Sequence, residues 1–149
     1  MIPILNEDTV KKAVESYLTS LGFAVRTTPY PGSPGPDNVA YHEVKRQLWL
    51  VEDKGLQDDS ANRLGGFQDG LGQLTRRDPS MWKEKSGFGP LVKEDIVYYA
   101  LALPDRADYR ALARSVRKDV RKALNLYLFF IEEGEPPLVT VIPPDEEVG

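Results

Sequence analysis

The chain has 149 residues, 41% of them apolar and 28% charged, a size and balance that suit one globular α/β domain spanning 1–149 with a core of its own. Cysteine is absent and His42 is the single histidine. This excludes disulfide frameworks, thiolate chemistry and cysteine zinc sites, and it disfavours multi-histidine metal sites and serine–histidine triads. The net charge of −4 is segregated: residues 106–122 hold seven Lys/Arg against two Asp, and Glu132–Glu147 holds six acids with no Lys or Arg, so the total is a poor guide to partners.

The N-terminal MIPILNEDTV has no basic stretch and only a short apolar one. A secretory signal is not expected, and a cytoplasmic location is. No apolar run approaches the roughly 20 residues of a membrane helix. Asn6 suits an N-cap, with Glu7 and Asp8 in a first turn. Val10, Ala13, Val14, Tyr17, Leu18 and Leu21 repeat at helical spacing up to Gly22, where a left-handed residue can end the helix. A strand over 23–28 follows, then the proline- and glycine-rich loop TTPYPGSPGP. Residues 37–42 and 47–54 read as a hairpin with Glu43–Arg46 as its turn.

Residues 60–77 are expected to be helical towards the C-terminal half, since Gly65, Gly66, Gly70 and Gly72 weaken the start. Residues 78–94 read as a long loop. IVYYALAL (96–103) and LYLFFI (126–131) are buried strands by composition. Between them, Tyr109, Leu112, Ala113, Val116, Val120 and Leu124 mark one amphipathic helix. LVTVI (138–142) is an edge strand, and the acidic end is expected to fray. An antiparallel meander followed by a parallel crossover gives one mixed sheet flanked by helices.

The chemistry concentrates in LWLVEDKG, residues 48–55. Strand alternation places Leu48, Leu50, Glu52 and Lys54 on one face and Trp49, Val51 and Asp53 on the other. An apolar row thus ends in a carboxylate and an amine. In the antiparallel hairpin, the start of the first strand meets the end of the second, so Asp37 is expected beside Glu52 and Lys54. Two carboxylates at one point suit a hard divalent cation. A neighbouring lysine can orient or help deprotonate water and stabilise charge on a phosphate.

Gly35-Pro36-Asp37, a hairpin, and Glu52-Asp53-Lys54 together resemble the PD-(D/E)xK signature of restriction-endonuclease-like nucleases, and the element order α-β-β-β-α-β resembles their core. The resemblance implies a nuclease that hydrolyses phosphodiester bonds in DNA with Mg²⁺ or Mn²⁺. It implies that Asp37 and Glu52 bind the ion with the backbone carbonyl of Asp53, and that Lys54 assists the water. An acid in the first helix, Glu7, would join the metal site. A glutamine in the helix after the lysine would complete the catalytic set: Gln73, with Gln68 as the weaker match. Asp8–Lys11, Leu71-Gly72-Gln73, Ala100–Pro104 and Leu126–Ile131 are also similar to segments of the element-excision controlling factors of that fold.

Other readings stand beside these. Glu7 also serves as a helix-dipole acid, and Gln73 as an ordinary polar helix position. Arg106, Arg110, Arg114, Arg117 and Arg121 form either the solvated side of a helix or a phosphate-tracking stripe. Arg76 and Arg77 suit a helix C-terminus and could also hold a phosphate near the site. Trp82 and Phe88 either stack on bases or pin the 78–94 segment to the body or to a partner chain. His42 reads as a surface residue and Trp49 as core on the far sheet face. The alternative to a nuclease is a non-catalytic or partner-dependent accessory subunit of the same fold in DNA rearrangement or defence. Cutting a duplex calls for two sites, most simply a homodimer, with residues 78–95 and the 138–142 edge as contact surfaces.

Overall fold

A computed structural model of the chain describes residues 5–27 and 35–149. The readings of residues 1–4 and of most of the TTPYPGSPGP loop fall outside the described residues.

The first helix, α1 (Glu7–Ser20), starts as its sequence requires: Asn6 is the N-cap, and its side chain accepts from Thr9 N. Gly22 ends it at φ 93°. Val10, Val14 and Leu18 on its inner stripe are 0–1% exposed, and each such burial contributes roughly 1.5–3 kcal/mol. Strand β1 (Ala24–Thr27) leads to β2 (Asn38–His42) and β3 (Gln47–Asp53). These three pair antiparallel, with Asn38 opposite Val51 and His42 opposite Gln47. The hairpin turn lies at residues 43–46, with Arg46 at φ 55°.

Helix α2 (Ser60–Thr75) runs unbroken through its four glycines and stops two residues short of the expected end. Two devices secure the start that glycine was expected to weaken. The Asp59 side chain accepts from Ala61 N, and Arg63 donates to Gln57 O and Asp58 O while pairing with Asp108. The segment read as a long loop instead contains α3 (Pro79–Lys85), capped by Asp78 with proline at its start. Trp82 and Phe88 pack against Val39, Tyr41, Leu48 and Leu50, so they pin this segment to the sheet. Buried Lys83 fastens its far end by donating to Phe88 O and Pro90 O.

Strand β4 (Ile96–Pro104) runs parallel to β3, and β5 (Leu126–Glu132) parallel to β4. The single helix expected between them is two: α4 (Ala107–Arg114) and α5 (Lys118–Leu124). β6 (Leu138–Ile142) pairs antiparallel with β5 as an edge. The result is a six-stranded mixed sheet in the order β1-β2-β3-β4-β5-β6, with helices on both faces. No helix among the described residues is long and apolar enough to cross a membrane.

One apolar layer lies under α1 and includes Trp49, Val51, Ala100, Ala102, Phe129 and Ile131. The other face carries Leu101, Leu103, Leu128 and Phe130 beneath α2 and α4. The end of the chain is docked rather than frayed. Val148 is 7% exposed within the second layer. Arg121 is buried and donates to Pro143 O and Glu146 O. His42 is half-buried, edge-on to Phe23, with Nδ1 accepting from Lys45 N. It locks the hairpin turn and is not the surface residue expected.

Candidate functional site

The end of β3 turns a strand pattern into a polar site. Leu48 and Leu50 bury on the face shared with α3, and parity then sends Glu52 to that same side. Its side chain is only 3% exposed. Asp37 precedes β2 and is half-buried. It accepts from Asp53 N at Oδ2, 2.7 Å, and its negative charge bears on Glu52. The hairpin therefore brings Asp37 and Glu52 together as expected.

Burial pushes the Glu52 carboxyl up to about 7; the negative charge of Asp37 adds to this, and Arg77 offsets part of it. Arg77 holds Glu52 directly, Nε to Oε1 at 2.9 Å, and its Nη2 donates to Gly35 O at 3.0 Å. Of the two arginines that end α2, it is Arg77 that faces the site; Arg76 is exposed.

Lys54 lies beyond the last residue of β3, its backbone N donating to Ala102 O at 2.9 Å. Its Nζ makes a long contact of 3.5 Å to Gln73 Oε1. Gln73 is thus the glutamine that meets the lysine, while Gln68 is exposed. Helix α2 approaches closely here because Gly70 faces the site. A Cβ at Gly70 would lie 2.8 Å from Leu101 Cδ1 and 3.1 Å from Lys54 Cε.

Asp53 occupies the opposite sheet face, under α1, and is 0% exposed. Asn38, equally buried, turns its amide NH₂ to the Asp53 carboxyl and accepts from Thr27 Oγ1 at 3.0 Å. Burial, then the charges of Asp37 and Glu52, hold the Asp53 carboxyl well above the usual range, with Lys11 acting in the other direction. Asn38 and Lys11 are the supporting residues that sequence reasoning missed. The signal for Lys11 was its position three before Val14 on the inner stripe of α1.

Glu7 is half-buried at the start of α1. It shares with Lys54 a polar cavity of about 250 Å³, also lined by Asn62, Arg63 and Tyr109. Gly55 makes this closeness possible, since a Cβ there would sit 2.3 Å from Glu7 N. Among the described residues, no three acids or histidines come together as a metal-ligand group. The acids that meet are the pair Asp37 and Glu52. Two carboxyl groups are the donor type a hard cation takes, and a divalent ion would offset the repulsion by Asp37 that adds to burial in raising Glu52.

The arginine series is engaged within the chain. Arg106 pairs with Glu133, Arg110 with Asp105 and Arg117 with Asp119. Arg114 donates to Gly149 O, and Arg121 is buried. These contacts favour the structural reading over a phosphate-tracking stripe. Comparison of the chain with protein-family models, curated proteins and solved structures finds no match to any of them.

Proposed function

We propose that the chain is a metal-dependent nuclease of the restriction-endonuclease-like kind, hydrolysing phosphodiester bonds in DNA at Asp37, Glu52 and Lys54. The observation that carries this reading is the buried Glu52 beside the charge of Asp37, with Lys54 just past the end of the same strand. Isolated ion pairs on protein surfaces need no such burial of like charges.

Asp37 and Glu52 would hold Mg²⁺ or Mn²⁺. The bound ion would supply Lewis-acid charge and a water of lowered pKa. Lys54 would orient that water and offset charge on the phosphate, and Gln73 would position the Lys54 amine. Asp53 N fixes Asp37 in place through its hydrogen bond. The Asp53 carbonyl would be a further ligand in this reading, while Glu7 lies apart from the pair, in the cavity it shares with Lys54.

A second reading, an accessory subunit of the same fold, draws support from Arg77, whose guanidinium already satisfies Glu52. A partner or a second copy of the chain would then be needed for cutting.

The deciding experiment is cleavage of single-stranded, duplex and branched DNA with Mg²⁺ or Mn²⁺. Wild type is expected to cut, and Asp37→Ala and Glu52→Ala are expected to lose both cutting and ion binding while remaining folded. Lys54→Ala is expected to keep the ion and lose cleavage. Ion affinity unchanged in both carboxylate variants rejects the site. Ion binding without cutting by wild type favours the accessory subunit.

A further inference from the structure

Gln73 on helix α2 and Arg77, two residues past its last residue, reach the two residues where β3 ends and the chain leaves it, Lys54 and Glu52. Gln73 meets Lys54, and Arg77 meets Glu52. Arg77 is at once the cation of a nearly buried ion pair, 19% exposed itself against 3% for Glu52. Its second anchor, Gly35 O, belongs to the turn that delivers Asp37.

A guanidinium on Glu52 Oε1 and a divalent ion bound by the same carboxylate compete for the same electron pairs. They also repel each other at that distance. Arg77 extends from the C-terminus of α2, where the helix dipole favours a cation, and its long side chain can swing without moving the helix.

We infer that Arg77 is a built-in counter-ion that guards Glu52 while the divalent site is empty, and that gives way to the ion and turns to a phosphate of the nucleic acid. This rests on the reading of Asp37 and Glu52 as the cation site. Arg77 is then a positioning residue for DNA whose charge is masked until the ion arrives. A purely structural Arg77 would instead support the carboxylates, and its loss would leave ion binding unchanged or weaker.

The test is titration of the full chain with Mn²⁺, followed by water-proton relaxation, for wild type, Arg77→Gln, Arg77→Lys and Glu52→Gln. Fluorescence anisotropy of a labelled DNA oligonucleotide, with and without Mn²⁺, is measured in a Lys54→Ala background to prevent cutting. Removing a charged competitor is expected to tighten Mn²⁺ binding about tenfold in Arg77→Gln. Arg77→Lys should fall between, because lysine cannot hold Glu52 and Gly35 O in one planar fork. Glu52→Gln should not bind the ion. Mn²⁺ should strengthen oligonucleotide binding in the Lys54→Ala background and lose that effect when Arg77→Gln is added. Wild type that binds Mn²⁺ no less tightly than either Arg77 variant overturns the inference and leaves the cation site standing. Absence of Mn²⁺ binding in wild type and in both Arg77 variants overturns the cation site as well.

Discussion

Glu52 experiences two opposed fields, the repulsion of Asp37 together with burial and the attraction of Arg77, and the first prevails. Its folded-state value, about 7, lies above the ordinary 4.5. The folded protein therefore holds this proton more tightly than the unfolded chain does. The stability it contributes is complete below about pH 4.5 and is lost as pH rises through about 7. In the metal-free protein, Glu52→Gln should raise the melting temperature at pH 8, by about 2–4 °C per kcal/mol of relieved repulsion. The gain should vanish near pH 4. Calorimetry of both proteins at the two pH values checks this, and an equal gain at both rejects the assignment. The approach of Asp37 to Glu52 was legible in the sequence because hairpin pairing and strand alternation are local rules. The contact of Arg77 with Glu52 was not, since it depends on how α2 lies across the sheet. Asn38 meets Asp53 across that same hairpin and was missed because a neutral amide carries no metal-ligand signal.

Element boundaries were legible where periodicity was strong, as in α1, β3, β4 and β6. They were missed where a cap outweighed composition. Asp78 with Pro79 starts α3 inside a segment whose prolines, lysines and scattered aromatics suggested a loop. The apolar spacing from Tyr109 to Leu124 continues across the break at residues 115–117, so periodicity alone could not divide α4 from α5. The glycines of α2 divide by what they face. Space is open around a Cβ at Gly65, and Gly65→Ala should stabilise the protein by about 0.5–1 kcal/mol through helix propensity. Gly70 faces Leu101 and Lys54, and Gly70→Val should cost about 1–3 kcal/mol from overpacking and disturb the lysine. Urea denaturation of both variants measures the two signs; a destabilised Gly65→Ala would show that the start of α2 needs its flexibility.

For the molecule as a whole, the chain-order sheet separates the work. The antiparallel half, β1–β3, carries Asp37, Glu52 and Asp53, and the parallel half supplies the central core. The end of the chain then covers α4 and α5. Arg121 is the fastening, with two carbonyls of that segment as its acceptors and Lys118 paired to Glu147 beside it. Replacing Arg121 by leucine strands those acceptors and should cost about 2–3 kcal/mol. Removing residues 143–149 should also destabilise, by exposing the layer that Val148 covers. In the double variant the losses should fall short of additive, since both break the same contact. Full additivity in denaturant melts would separate the docking of this segment from Arg121.

Trp82 lies so close to Gly35 that a Cβ there would come within 2.3 Å of the indole ring. Gly35 O is also the carbonyl that Arg77 holds. The chain has two tryptophans, and Trp49 is in the core on the other sheet face. In a Trp49→Phe background, the remaining emission would come from an indole resting on the turn that Arg77 anchors. The protein thus carries an intrinsic optical reporter, one that can follow the arginine's release in real time without an attached dye.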